Sequence, residues 1–246
     1  MTPDRIGFDR TLRFPWLDQA ALLAGELRDE EALRVALLEW LAGHVKGSES
    51  RRRTVDVLTR LWWRVPKAHI PLRDEALGWI AGLPARERLA LHWGMALLAY
   101  PFFQDVVGTA GRLMRLQGTF KLAQLEQRIA ARWGNRATLE YALARVVRSL
   151  QDWGVVLSGE QRGIYMPPRA AIPLPTAVAL WLLEAVLQAR GPGLPAGDLL
   201  RAPELFPFES AVALGALAGS PRFTLQQEGP EFTVTQRSRQ GGKPSQ

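Results

Sequence analysis

The chain has 246 residues, 47% of them hydrophobic and 22% charged, a globular balance with enough apolar material for a real core. It contains no cysteine, which removes disulfide frameworks, thiolate zinc sites, cysteine nucleophiles and iron–sulfur clusters together; His44, His69 and His92 lack the i, i+4 spacing of a histidine metal site. The formal charge of +7 is uneven: residues 1–109 net +1, residues 110–171 carry 10 basic and 4 acidic side chains, and residues 172–236 carry 3 and 6. A positive field concentrated in the middle suits a polyanion partner.

Asp4, Arg5, Asp9 and Arg10 precede any apolar stretch, unlike a secretory signal. The most apolar runs, 89–103 and 174–189, are too short or are interrupted by His92, Pro101 or Glu184. We therefore expect a cytoplasmic chain with no membrane span. Residues 1–101 read as a helical bundle. Asp29, Glu30 and Glu31 open a helix with Leu33, Val35, Leu37, Leu38 and Leu41 on its apolar positions, ended by Gly43 and Gly47. A second helix covers 50–64, a third follows Pro71, and a fourth follows Pro84.

Residues 102–171 change pattern. The spacing predicts a helix over 102–117 ending at Gly118, a β-like link at Thr119 and Phe120, a helix carrying Leu122, Leu125 and Ile129, and a third running from the Asn135 cap to Trp153. Strands are expected at 155–157 and 164–166 around a polar turn, with Pro167 and Pro168 stopping the pairing. Helix, link, helix, turn, helix and hairpin is the order of a winged helix-turn-helix. Residues 172–236 repeat it in a degenerate, acidic form, with a third helix expected over 209–218 that is apolar enough to be buried on most sides. Residues 237–246 read as a disordered basic tail. The fold class expected is thus mainly α: a bundle, a winged helix-turn-helix and a second winged-helix-like module.

In a helix-turn-helix the third helix enters the major groove. Opposite its apolar stripe, Leu139, Leu143, Val146, Val147 and Leu150, lie Arg136, Thr138, Tyr141, Arg145 and Arg148. Arginine reads guanine bidentately or grips phosphate. Any surface helix also shows solvent a polar face; the concentration of charge here favours DNA. Lys121, Arg128 and Arg132 on the preceding helix are candidate phosphate contacts, and Arg162 in the hairpin turn can reach backbone or minor groove. Arg51, Arg52 and Arg53 oppose the dipole of the helix they begin, which fits a bound phosphate and equally fits a surface network with Glu49 and Asp56. Most of the nine tryptophans lie in apolar helices, leaving Trp63 and Trp133 as candidate base stackers.

No phosphate loop, nucleophile elbow or metal-ligand spacing is present, so the expectation is no enzyme, no metal and no cofactor. Two stretches, 48–62 with its Ser-rich link and Arg-Arg-Arg-Thr helix, and 136–156 with its polar-apolar helix ending in Asp152, Trp153 and Gly154, resemble the BrxA family of small proteins of BREX phage-defence islands. The resemblance implies a mainly helical, non-catalytic, double-stranded-DNA-binding accessory protein acting beside larger defence subunits. The alternatives are an adaptor bridging subunits of a complex, or a transcriptional regulator.

Overall fold

The computed structural model describes residues 6–135 and 137–237. Within them the chain is mainly helical, with eleven α-helices and eight short strands. The N-terminal bundle comprises α1 (Phe14–Glu26), α2 (Glu30–Trp40), α3 (Ser48–Trp62), α4 (Ile70–Ile80) and α5 (Ala85–Ala99). Asp29 is the N-cap of α2, its carboxylate accepting the Ala32 N–H at 2.8 Å, as the acidic run suggested. Pro71 and Pro101 occupy first-turn positions of their helices, where a missing N–H costs nothing.

The middle of the chain forms α6 (Pro101–Gln117), β1 (Phe120–Lys121), α7 (Leu122–Trp133), α8 (Ala137–Asp152), β2 (Leu157–Ser158) and β3 (Ile164–Met166). Gly118 ends α6 in the left-handed region, φ 75°, where a Cβ would be strained. The three strands form an antiparallel sheet in the order β1-β3-β2, with Phe120 opposite Tyr165 and Leu157 opposite Met166. The first strand of the hairpin starts later than expected because Val155 and Val156 turn inward and are buried beneath the end of α8.

The remainder is β4 (Ile172–Pro173), α9 (Thr176–Arg190), β5 (Gly193–Pro195), α10 (Ala196–Leu200), a 3-10 turn at Pro203–Leu205, β6 (Phe208–Glu209), α11 (Leu214–Gly219), β7 (Phe223–Glu228) and β8 (Glu231–Gln236). Its main sheet runs β5-β8-β7, the same order as the preceding sheet. The helix expected over 209–218 is corrected. Phe208 and Glu209 pair in parallel with Ile172 and Pro173, and the Ser210 hydroxyl accepts the Val212 N–H at 3.1 Å, so the backbone turns locally and helix begins only at Leu214. Nor is this segment buried: Ala211, Ala213 and Leu214 are exposed and Leu217 alone in α11 is buried, because six residues give too short a helix to be covered on several sides. Of the expected basic tail, only Arg237 falls among the described residues.

Buried side chains from Phe8 to Val234 belong to one continuous core. Helix α9 lies on α5 so closely that a Cβ on Gly94 would stand 2.4 Å from the Trp181 ring, and a Cβ on Gly111 of α6 would stand 2.1 Å from the Pro203 carbonyl oxygen. Trp181 donates its Nε1–H to the Leu72 carbonyl at 3.0 Å. Arg222, just before β7, reaches Glu75 of α4 and the fully buried Glu184 of α9, the latter at 2.6 Å. The acidic C-terminal part therefore docks on the N-terminal bundle of its own chain.

Candidate nucleic-acid interface

Helix α8 buries the stripe expected of it, Leu139, Leu143, Val146, Val147 and Leu150, and leaves Thr138, Tyr141, Arg145 and Arg148 exposed. Its position is set by the segment 6–13. Buried Ser149 donates its hydroxyl to the Arg145 carbonyl and accepts the Leu12 N–H, each at 2.9 Å. Trp153 Nε1 donates to the Leu12 carbonyl at 2.9 Å, and the Asp152 carboxylate accepts the Phe14 N–H at 2.9 Å. Phe8 anchors the segment by stacking on Phe103 with ring centroids 5.2 Å apart. A short strap thus holds the C-terminal half of α8 rigid and its polar face outward.

The other expected residues fall as follows. Arg136 lies outside the described residues. Lys121 is exposed on β1 beside Ile164, and the Leu122 N–H donates to the Gly163 carbonyl at 2.8 Å, which brings the start of α7 to the hairpin turn bearing exposed Arg162. Arg128 is exposed on α7. Arg132 is exposed but paired with Asp105 of α6 at 2.6 Å. The same carboxylate accepts Trp133 Nε1–H at 2.7 Å, and Trp133 is buried edge-on against Phe102, so it is not available to stack a base. On the neighbouring flank, burial and then the adjacent Glu140 carboxylate push the Glu126 carboxyl up.

Arg51, Arg52 and Arg53 diverge, as three consecutive helical residues must at 100° each. Arg51 turns back to the Val45 carbonyl at 3.3 Å, Arg53 pairs with Glu49 at 2.7 Å, and exposed Arg52 has no ion pair among the described residues. Asp56 pairs instead with Arg34 of α2 at 2.7 Å. Of this triplet, Arg53 alone joins the residues of α8. A groove of about 1200 Å³ runs between α3 and α8, lined by Arg53, Arg60 and Arg64 on one wall, Thr138, Tyr141 and Arg145 on the other, and Asp9 and Arg10 of the strap. Sequence reading missed Arg10, Arg60 and Arg64. A helical wheel of α3 would have found the last two, since Arg53, Arg60 and Arg64 recur at i, i+7 and i+11; nothing local marks Arg10.

Ion pairing is sparser among the described cations of the middle of the chain than among those of the rest. In the bundle and the C-terminal part, Arg34, Arg53, Arg64, Arg73, Arg88, Arg190 and Arg222 hold carboxylates, while Arg13, Arg28, Arg52, Arg60 and Arg86 are exposed with no ion pair among the described residues. Among the described cations of 110–171, Arg132 alone is in an ion pair, and Lys121, Arg128, Arg145, Arg148 and Arg162 are exposed without one. Among the described residues no cluster of three or more His, Asp or Glu side chains is arranged to hold a metal ion, and no helix is long and apolar enough to cross a membrane. No family model, curated protein or solved structure matches the chain.

Proposed function

We propose that the chain is a non-catalytic, double-stranded-DNA-binding protein whose recognition element is α8. The observation that carries this reading is the set of five exposed cations on β1, α7, α8 and the hairpin turn, none in an ion pair among the described residues and all carried by the elements that would face a duplex. Unpaired like charges repel one another, and a polyanion relieves that repulsion while releasing its own counterions. The order α6, β1, α7, α8, β2, β3 with sheet order β1-β3-β2 supports reading this stretch as a winged helix-turn-helix. In that reading Arg136, Thr138, Tyr141, Arg145 and Arg148 meet base edges or phosphates, Lys121, Arg128 and Arg132 grip backbone, and Arg162 extends contact from the wing. Arg52 is a flanking phosphate contact, while Arg51 and Arg53 serve the local structure of α3 first.

The resemblance to the BrxA family extends the proposal to an accessory role in a bacterial phage-defence complex. An adaptor role is favoured by a separate observation, the exposed apolar residues Ala211, Ala213 and Leu214 beside a module of net negative charge. The deciding experiment is a mobility shift of the full chain on duplex DNA, with Arg145→Ala/Arg148→Ala compared with Arg86→Ala. Arg86 is an exposed bundle cation without an ion pair among the described residues, whereas Arg88 is tied to Asp18 and is unsuitable as a control. Equal losses from both variants would refute recognition by α8.

A further inference from the structure

The groove between α3 and α8 is concave, and at about 1200 Å³ it exceeds the usual small-molecule pocket of about 300–1000 Å³. A duplex, itself a convex rod, is read by a projecting helix and cannot sink into such a trough; a single strand can. The lining has the two components that sequence-tolerant single-strand sites use, a basic track and an aromatic platform.

The track survives an accounting of its charges. The groove is lined by Arg10, Arg53, Arg60, Arg64 and Arg145 against Asp9, Glu49 and Asp56. Glu49 is occupied by Arg53 and Asp56 by Arg34, while Arg64 is held by Glu30, which is not part of the lining. Asp9 faces Arg10 at 3.9 Å. Arg60 and Arg145 are left on opposite walls with no ion pair among the described residues, and the Arg60 guanidinium carbon lies over the Tyr100 ring, 5.1 Å from its centroid. The platform is Tyr141, 70% exposed, with neither a ring contact nor a hydrogen bond among the described residues. Thr138, Tyr141 and Arg145 stand at i, i+3 and i+7, one stripe of α8, so a strand lying along the helix meets a hydroxyl, a ring and a guanidinium in succession.

We propose that this groove, which shares Thr138, Tyr141 and Arg145 with the exposed face of α8, also binds single-stranded DNA, with Tyr141 stacking a base and Arg60 and Arg145 holding phosphates. Because the stripe lies at the edge of the outer face of α8, the strand in the groove is the unpaired continuation of a duplex on that face; this junction arrangement rests on the duplex reading above, and the single-strand site does not.

The test is fluorescence anisotropy of the full chain with labelled short oligothymidylate, a blunt duplex, and the same duplex carrying a single-stranded tail. Oligothymidylate should bind, and the tailed duplex should bind more tightly than the blunt one. Tyr141→Ala should weaken oligothymidylate binding by about 5- to 150-fold, the range for loss of one stacked base, while Tyr141→Phe retains it. Arg60→Gln should weaken oligothymidylate and leave the blunt duplex unchanged; Arg128→Ala should do the reverse. Absence of oligothymidylate binding, equal losses for Tyr141→Ala and Tyr141→Phe, equal loss of strand and duplex in Arg60→Gln, or displacement of the strand by polyglutamate as readily as by unlabelled oligothymidylate would each overturn the groove site. Oligothymidylate binding without duplex binding would overturn the duplex reading and leave the groove site standing.

Discussion

Removing Arg145 and Arg148 together tests the duplex reading quantitatively. Each phosphate neutralised contributes about −0.9 to the slope of log affinity against log salt on B-form DNA. The five exposed, unpaired cations Lys121, Arg128, Arg145, Arg148 and Arg162 set a slope of about −4.5 if each meets one phosphate, which is a loss of about 500-fold in affinity between 50 and 200 mM salt. Arg145→Ala/Arg148→Ala should bring the slope to about −2.7 and the loss over the same interval to about 40-fold. Both side chains project from the polar face of a helix whose opposite stripe is buried, so the fold should be unaffected and circular dichroism unchanged. The assay is anisotropy of the full chain on a blunt duplex at a series of salt concentrations. A parent slope near zero, or a double variant with the slope of the parent, would refute the claim that these guanidiniums displace counterions.

Arg222→Met removes the cation shared by buried Glu184 and half-buried Glu75; breaking such a pair costs about 3–5 kcal/mol, a fall in Tm of about 6–20 °C by calorimetry, whereas Arg53→Ala on the exposed surface should leave Tm where it is. His92 is fully buried; burial holds its imidazole below the ordinary 6.5 despite the Asp18 carboxylate at 2.8 Å, and its Nδ1 has no hydrogen-bond partner among the described residues. A group with a depressed folded pKa contributes stability that is present above its unfolded value and is lost as pH falls. Urea midpoints should therefore decline below about pH 6.5, and His92→Gln should flatten that limb. Burial alone pushes the Asp18 carboxyl up, but hydrogen bonds from His92 and Arg88 outweigh it and hold Asp18 below 3.8, so a separate acid limb should persist below that pH in His92→Gln; a variant with the parent's profile throughout would contradict the assignment. Gly94→Ala should overpack the α5–α9 contact at a cost of about 1–3 kcal/mol, read from the urea midpoint; an unchanged midpoint would mean the two helices separate freely.

Local periodicity was enough for most of the helices. The caps and breakers at Asp29, Pro71, Pro101 and Gly118, and the apolar stripe of α8, act within one or two turns of chain, so their meaning is contained in neighbouring residues. Net charge by region was also legible, because it is a sum over residues. Pairing was not. Whether Asp56 neutralises Arg52, Arg53 or Arg34 depends on how α2 lies against α3, and whether Trp133 stacks a base or is buried depends on Asp105 and Phe102 of α6. The strand at Phe208 and Glu209 exists because Ile172 and Pro173 supply a partner, a contact across more than thirty residues that overrides the helical look of the segment that follows. The groove is the clearest case. Arg60 and Tyr141 belong to helices far apart in the chain, and only the strap through Phe8 and Leu12 and the shared core set them facing one trough, since a site assembled across elements is determined by packing and not by the order of residues along any one of them.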